Sequence, residues 1–269
     1  MRVPVALSEH NELTRSLVSR ELRGQYKRSA LGWFWSLLNP LAMVATYAIV
    51  FSLVFRAAPP VGDPSGRHSY VLFLITGLIP WNLFAGGLNG SAASLVDQAS
   101  LISKVYFPRA AVVLAKLGAL AVTSAIEFAV VVVVLVVSGN FVLPWLGVLA
   151  GLFALQLALV LGLGLMLSVT NVYFRDVQYL LGIGLQVVFY LTPIIYPPSF
   201  VREQVGDRLY FLYRLNPLER LVESYRNVLY DMRFPALADV GYVALWAAAM
   251  LFVGYRVFRR LEPRLAEEL

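Results

Sequence analysis

The sequence predicts an all-α integral membrane protein with six transmembrane helices. Of its 269 residues, 59% are hydrophobic and only 14% are charged, which is far more apolar than a soluble domain of this length. Its apolar stretches repeatedly reach the roughly 20 residues that a helix needs to cross a hydrocarbon layer about 30 Å thick. Both observations make a lipid bilayer the natural solvent for nearly the whole chain.

The first three predicted spans are separated by polar, turn-rich segments. Residues 31–55 are long and apolar enough for the first span, in which Pro40 predicts a kink. The second span covers residues 70–88, where Pro80 and a following glycine pair predict an irregular helix. The third covers residues 110–137 and is too long for one ideal crossing, so it should tilt or extend into water.

The last three spans are predicted from apolar stretches that end at clear turn signals. The fourth covers residues 145–169, and its Gly162 and Gly164 suit close contact with another helix. The fifth covers residues 177–195, but prolines at its far end prevent it from continuing as a helix. The sixth covers residues 240–257.

A charged segment between the fifth and sixth spans, residues 199–239, predicts an additional amphipathic helix. Apolar residues recur in it at three- and four-residue spacing, with charges between them. Asn216 is the expected N-cap, Pro217 the first helical residue and Glu219 the third. Because this helix is too short and too charged to span, we expect it to lie on, or dip into, one interface.

The distribution of basic residues predicts that both ends of the chain face the cytoplasm. Short outer loops hold little beyond Arg56 and Arg67, and the six arginines of segment 199–239 are balanced by six acidic residues. The net charge of +6 is therefore explained by anionic lipid and topology rather than by nucleic acid. The basic residues of the predicted inner segments are Arg15, Arg20, Arg23, Lys27, Arg28, Lys104, Arg109, Arg175, Arg256, Arg259, Arg260 and Arg264.

The chain lacks the residue patterns of a catalytic or metal site. It contains no cysteine and only two histidines, which disfavours a metal centre. Glu127 and Lys116 lie within the third span, but nothing pairs them as an acid and a base. Two interpretations of Glu127 stay open, a transport or gating role and a helix-packing hydrogen bond or aqueous groove. No catalytic site is predicted.

The energy source for any transport must lie in another chain. The sequence contains no GxxxxGK[ST] loop, so it cannot cradle the phosphates of ATP in that manner. It also shows neither the midplane acids nor the repeated halves expected of an ion-coupled carrier. ATP-driven transport with a separate ATPase subunit is the class that remains.

Aromatic residues populate the first, second and fifth spans. An aromatic face stacks on the apolar face of a sugar ring, so as a set these residues favour a path for a glycan. Packing in the core or against lipid is the alternative for any single ring. The aromatic residues are Tyr47, Phe51, Phe55, Phe73, Trp81, Phe84, Phe189 and Tyr190.

Three stretches resemble a known family across essentially the whole chain. They are LRGQYKRSALGWFWSLLNP at residues 22–40, LISKVYFPR at 101–109, and NVYFRD at 171–176 followed by YLTPIIYP at 190–197 and NPL at 216–218. In order and spacing these resemble the membrane subunits of type-2 ABC exporters of polysaccharides and teichoic acids, which include the O-antigen permeases. One departure is Ala110-Ala111, where many relatives carry an acidic and then an aliphatic residue.

The resemblance implies that two copies form a pore and bind two copies of an ATPase subunit, which holds ATP and Mg²⁺. This chain itself would bind no cofactor and no metal. Residues 1–30 would be a cytoplasmic interfacial helix, 31–260 the transmembrane domain with a re-entrant segment on its outer face after Asn216, and 261–269 a cytoplasmic tail.

The resemblance also assigns roles to three groups of residues. The interfacial helix would use Arg15, Arg20, Arg23, Lys27 and Arg28. ATPase coupling would use Asp97, Gln98, Leu101, Ile102, Lys104, Tyr173, Arg175 and Asp176. The outer gate would be formed by Thr192, Pro193, Tyr196, Pro197 and Pro198.

The function that these expectations support is export of a lipid-linked cell-envelope polysaccharide across the cytoplasmic membrane. An O-antigen, a teichoic acid and a cell-wall galactan are the candidate substrates, and the arginine-rich, lysine-poor composition favours the galactan. The alternatives are a small-molecule, drug or lipid permease of the same superfamily and, from another class, a membrane-embedded glycosyltransferase or acyltransferase.

Overall fold

The computed structural model describes residues 7–25, 34–54, 61–102 and 108–268. Within these ranges the chain forms helices joined by turns and contains no strand, so the all-α fold class is confirmed. Four of the predicted site residues lie outside the described residues. They are Lys27, Arg28, Phe55 and Lys104.

Eleven α-helices are present in the described part of the chain. A π-helical turn, Ile49–Val54, extends α2, and a second one, Asn227–Asp231, extends α9. The helices are α1 (Leu7–Gln25), α2 (Phe34–Ala48), α3 (Tyr70–Asp97), α4 (Ala99–Ile102), α5 (Ala110–Val137), α6 (Leu146–Tyr173), α7 (Val177–Tyr190), α8 (Pro198–Tyr213), α9 (Pro217–Arg226), α10 (Leu237–Leu261) and α11 (Leu265–Glu268).

Among the described residues, four helical segments are long and apolar enough to cross a membrane by length and composition. They are Tyr70–Asp97, Ala110–Val137, Leu143–Tyr173 and Leu237–Arg264. Two further apolar helices are shorter, Leu41–Phe51 within the first predicted span and Val177–Tyr190 in the fifth. The number of six spans therefore stays a prediction that depends on these two shorter helices.

Helix α3 extends further than the predicted second span. It continues through Pro80 and the Gly86-Gly87 pair without interruption and ends at Asp97 instead of near Leu88. The residues of its last turns are mostly small or polar. Ser91, Ala92, Ser94 and Leu95 are nevertheless buried against neighbouring helices. Small residues permit close packing inside the bundle, which explains why this interval is helical although its polarity predicts a loop.

Helices α6 and α10 cross at two glycines. A Cβ atom added to Gly254 would overlap the backbone oxygen of Gly162, and one added to Gly162 would overlap the backbone of Met250 and Leu251. A Cβ atom at Gly164 would lie 2.6 Å from the Oγ of Ser91 in α3. These contacts confirm the close helix packing predicted at Gly162 and Gly164.

The segment between α7 and α10 folds into the helix pair α8 and α9. Helix α9 begins as predicted, since the Asn216 side chain accepts a hydrogen bond from the Leu218 backbone N–H and Pro217 is the first helical residue. Its position differs from the expectation of a helix at the interface: α9 packs inside the bundle against α3, α6 and α10. Glu219 is only 1% exposed and Tyr225 is fully buried. Whether the pair is a re-entrant segment of the membrane stays a prediction.

Candidate functional site

A groove lies between α2, α3 and α7, and four of its ten lining residues are aromatic. Its cavity volume is about 300 Å³, which is at the lower end of the usual range for small-molecule sites. None of its lining residues is charged. They are Met43, Tyr47, Trp81, Ala85, Asn89, Gly182, Leu185, Gln186, Phe189 and Tyr190.

Four of the predicted aromatic residues form a continuous wall of this groove. Phe189 lies at its centre, with its ring 6.2 Å from that of Tyr47 and 5.3 Å from that of Trp81. The ring of Tyr190 packs edge-on against Phe189 at 5.3 Å between centroids. Offset and edge-to-face contacts of this kind hold the rings in place. Trp81 and Phe189 are buried, whereas Tyr190 is exposed and Tyr47 is half-buried, so only the last two rings offer a face for stacking.

The structure places the other described aromatic candidates outside the groove lining. Phe51 stacks on Tyr70 with 5.4 Å between centroids. Phe73 is buried against Tyr230, with 5.9 Å between the two rings. Phe84 is also buried and supports the wall from behind, 5.9 Å from Trp81. These three rings serve packing within the single chain.

Two amides complete the groove and were not identified from the sequence. Asn89 on α3 and Gln186 on α7 lie among its lining residues. The Asn89 Nδ2 donates a hydrogen bond to the Ala85 backbone oxygen at 3.0 Å, which leaves its amide oxygen free to accept from a bound molecule. Aromatic faces with neutral amides at their edge are suited to uncharged, hydroxyl-rich molecules.

The predicted outer end of the groove is followed by a non-helical turn, residues 192–197. Helix α7 ends at Tyr190, which confirms the predicted break. The Thr192 hydroxyl donates back to the Val188 oxygen at 2.8 Å, and the Tyr196 hydroxyl donates to the Tyr190 oxygen at 2.5 Å. The turn is thereby tied to the end of α7, and α8 begins directly after it at Pro198.

Side chains of other helices supply hydrogen bonds to the backbone of this turn. Arg226 donates to the backbone oxygens of Pro193 and Ile194, and the Tyr70 hydroxyl donates to that of Ile195. The Asn216 Nδ2 donates to the Leu191 oxygen at 3.2 Å. Hydrogen bonds from neighbouring side chains therefore hold the turn that contains the predicted outer-gate residues. Arg226 was counted in the sequence only as one of the six balanced arginines, and this role was not identified there.

A cluster of charged side chains surrounds the start of α9. Asp239 of α10 accepts from the Nη2 of Arg214 at 2.5 Å and from the Nη1 of Arg220 at 3.1 Å. The Glu219 carboxylate lies 3.7 Å from the Nε of Arg214. Burial raises the pKa of Glu219 to about 7, although Arg214 acts to lower it. The charges of the segment are thus compensated in pairs and clusters, which permits α9 to be buried.

On the predicted inner side, the described candidate coupling residues fall into three groups. Ile102 is buried in a cluster of apolar residues, and the Tyr173 hydroxyl donates to the Leu261 oxygen at 3.0 Å, so both contribute to packing. Arg175 and Asp176 are exposed in the loop before α7, and no ion pair joins them to each other. The remaining described candidates, Asp97, Gln98 and Leu101, lie at or just beyond the end of α3.

The N-terminal helix α1 packs on this inner end. Leu17 is buried with Ala111 and Ala115 of α5, and Leu101 packs against the same cluster. An Nη atom of Arg20 donates to the Gln98 side chain at 2.8 Å. Arg15 and Arg23 are exposed on the other faces of α1. The helix is amphipathic in structure as well as in sequence, with an apolar face on the bundle and a basic face outside.

Two ionisable residues of α5 have different surroundings. Lys116 forms an ion pair with Glu21 of α1, a partner that lies far away in the sequence and was missed. Glu127 is buried and makes no hydrogen bond or ion pair with another described residue. Both interpretations of Glu127 stay open. Among the described residues there is also no cluster of three or more potential metal ligands.

Comparison with known proteins identifies similar sequences along nearly the whole chain. Residues 12–230 match the family model described as ABC-2 type transporter. The chain is 32% identical to the O-antigen export system permease protein RfbA of Myxococcus xanthus, covering 95% of this chain and 97% of that protein. It is 28% identical to RfbA of Klebsiella pneumoniae, with 94% and 93% covered, and 24% identical to the polysialic acid transport protein KpsM of Escherichia coli, with 92% of each covered.

Proposed function

Because the chain belongs to the ABC-2 type transporter family, we propose that it is the membrane subunit of an ATP-driven exporter of a cell-envelope polysaccharide. Its family membership confirms the resemblance predicted from the three sequence stretches. The named functions of its relatives are O-antigen export and polysialic acid transport. A glycan is therefore the proposed cargo, and we propose that it is linked to a lipid, as in an O-antigen, a teichoic acid or a cell-wall galactan.

The observation that carries this proposal is the uncharged aromatic groove. A sugar ring presents an apolar face that stacks on the exposed Tyr190 or the half-buried Tyr47, while its hydroxyls reach the amides of Asn89 and Gln186. Because no charged group lines the groove, a polymer would not be held tightly at any one position. Contacts of this kind favour movement along a path rather than storage at a site.

The proposed pore requires a second copy of the chain. One groove holds about 300 Å³, which is too little to enclose a polymer in the membrane. Helix α7 presents exposed apolar residues beside the groove, including Leu180, Ile183 and Val187. We propose that two copies meet along α7, so that two grooves face one another and form a common path.

ATP is proposed to act from the inner face. No phosphate-binding loop occurs in the sequence, so the ATPase subunit, with its ATP and Mg²⁺, is a separate partner. We propose that the ATPase subunit docks on a surface at the predicted inner end of the bundle. This surface consists of the exposed residues Arg175 and Asp176 and of Asp97 and Gln98 at the end of α3. We therefore propose that the chain lies in the cytoplasmic membrane with both ends inside, and that α2 and α7 complete six spans.

Co-purification tests this proposal. The chain is expressed with a candidate ATPase subunit encoded beside it, and the complex is isolated through a tag on the permease. We expect a stoichiometric complex that hydrolyses ATP, and we expect Arg175→Glu to release the ATPase while the matched outer-segment variant Arg208→Glu retains it. Purification of the chain alone, with enzymatic conversion of a lipid-linked sugar without nucleotide, would contradict the proposal.

A further inference from the structure

Arg226, the last residue of α9, is a buried arginine with an unusual set of contacts. Its side chain is only 2% exposed. The Nη2 donates to the Ile194 backbone oxygen at 2.6 Å, and the Nη1 donates to that of Pro193. Its Cζ lies 3.7 Å from the centre of the Phe73 ring. These contacts connect α9, α3 and the turn after α7.

The partners of Arg226 show that its main role is not an ion pair. The nearest carboxylate, Glu223, is 3.9 Å from the Nη1, which is at the outer limit for such a pair. A buried guanidinium is costly unless its donors are satisfied, and here two donors go to backbone oxygens. Those oxygens belong to a turn in which helix α7 has ended. An arginine fork is well suited to hold two adjacent carbonyl groups.

Gly77 in α3 lies directly against the Arg226 guanidinium and the Ile194 backbone oxygen. A Cβ atom added there would lie 2.8 Å from the Nη2 of Arg226 and 3.4 Å from the Ile194 oxygen. A side chain of any kind at position 77 would therefore compete with the guanidinium for its place. The absence of a side chain at Gly77 and the fork of Arg226 are two independent features that serve the same contact.

We propose that Arg226 is a positioning residue that holds the turn Thr192–Pro197 closed over the outer end of the aromatic groove. The turn is connected to the groove because the Tyr196 hydroxyl donates to the backbone of Tyr190, which lines it. Release of the two Arg226 hydrogen bonds detaches the turn from α9 and leaves the hydrogen bond from the Tyr70 hydroxyl to the Ile195 oxygen as its link to α3, so the turn is held less firmly. This inference rests on the proposed export function for its purpose, but the closure of the turn can be measured without export.

Cysteine labelling tests the position of the turn directly. The chain contains no cysteine, so a single Ile194→Cys reporter is the only thiol. Ile194 is fully buried, and its replacement leaves the backbone oxygen that Arg226 holds. In the assembled transporter we expect slow reaction with a membrane-impermeant maleimide. Both Arg226→Lys and Gly77→Ala should increase the rate about tenfold, since each removes the fork from the turn.

Arg220→Lys is the matched control. Arg220 also lies on α9, pairs with Asp239 and stacks 4.0 Å from the Tyr242 ring, but it makes no contact with the turn. It should leave the Ile194→Cys rate unchanged. An exposed reporter, Leu237→Cys, should react at one rate in all variants, because Leu237 is 86% exposed at the start of α10.

The functional consequence is measured in vesicles that contain the complex. Without ATP, we expect vesicles with Arg226→Lys or Gly77→Ala to leak a small fluorescent dye several-fold faster than wild type. Unchanged labelling in both variants would overturn the inference, as would an equal increase in Arg220→Lys. Loss of both variants from the membrane while Arg220→Lys accumulates normally would also overturn it, since Arg226 would then act in folding alone. If the labelling rate changes as expected but the wild-type complex exports no glycan, the inference about Arg226 stands and the proposed export function is contradicted.

Discussion

Glu21 of α1 forms an ion pair with Lys116 of α5, although 95 positions separate the two residues. The pair lies beside the buried Leu17 and near the hydrogen bond from Arg20 to Gln98, so it fixes the N-terminal helix to the inner end of the bundle. Through Leu101, which packs on the same cluster, α1 also supports the segment that we propose to contact the ATPase. A helix that looks peripheral in the sequence thus packs on the segment that we propose as the coupling region.

Disruption of this ion pair should loosen α1 without unfolding the bundle. Both side chains are partly exposed, at 32% for Lys116 and 22% for Glu21, so the pair is worth about 0.5–1 kcal/mol. Lys116→Glu should accelerate tryptic cleavage within α1 a few-fold. It should also reduce the increase in ATP hydrolysis that the permease causes in its ATPase partner. The charge-reversed double variant Glu21→Lys with Lys116→Glu should restore both. Failure of the double variant to recover would show that the pair does not hold α1.

Removal of exposed rings from the groove should reduce export. Tyr47→Leu and Tyr190→Leu preserve apolar bulk but remove the stacking face, and an aromatic stacking contact is worth about 1 kcal/mol for each ring. We expect at least a fivefold loss of glycan export for each, with normal assembly and ATP hydrolysis. Tyr255→Leu is the control, because Tyr255 is 55% exposed on α10 and away from the groove. Equal export in all three variants would exclude the groove as the path.

Crowding of the α6 and α10 crossing should destabilise the fold strongly. Gly254→Ala would place a Cβ atom onto the Gly162 backbone, and we expect it to cost at least about 3 kcal/mol because two backbones must separate. Gly241→Ala on the same helix is the control, since nothing lies within 4 Å of its added Cβ atom. It should be neutral or stabilising by about 0.5–1 kcal/mol. Thermal unfolding in detergent measures both, and similar melting temperatures would contradict the observed crossing.

Glu219 should make the stability of the protein depend on pH. Its pKa is about 7 in the folded state against 4.5 for a glutamate carboxyl in the unfolded chain, so between these pH values the folded state binds more protons than the unfolded state. Its contribution to stability is therefore present below pH 4.5 and is lost as the pH rises to about 7. Relative to wild type, Glu219→Gln should gain about 2–3 kcal/mol between pH 4.5 and 8. A difference that stays constant with pH, measured by unfolding, would contradict the raised pKa.

Features determined by neighbouring residues were predictable from the sequence. The N-cap at Asn216 and the end of α7 before Pro193 both follow from local backbone chemistry, and both are observed. The class of the protein followed from apolar composition and from the motif stretches. Four aromatic positions of the groove were also named, because ring chemistry was the reason for selecting them; they are Tyr47, Trp81, Phe189 and Tyr190.

Features created by contacts across the bundle were not predictable. The burial of α9 depends on charges from α10, because Asp239 pairs with Arg220 and Arg214 only after the chain has folded back. The amphipathic pattern alone therefore suggested an interfacial helix. In the same way, nothing near Arg226 in the sequence reveals that its partners are the carbonyl groups of Pro193 and Ile194. The sequence shows which groups are costly to bury, whereas only the fold shows what satisfies them.

The central claim is tested most directly by transport into inside-out membrane vesicles. These contain the permease with its ATPase partner, and the supplied substrate is a radiolabelled lipid-linked glycan. The account predicts that ATP, but not a non-hydrolysable analogue, moves the glycan to the vesicle interior, where added glycosidase cannot reach it. Movement without the ATPase subunit, or chemical conversion of the glycan by the permease alone, would contradict the account.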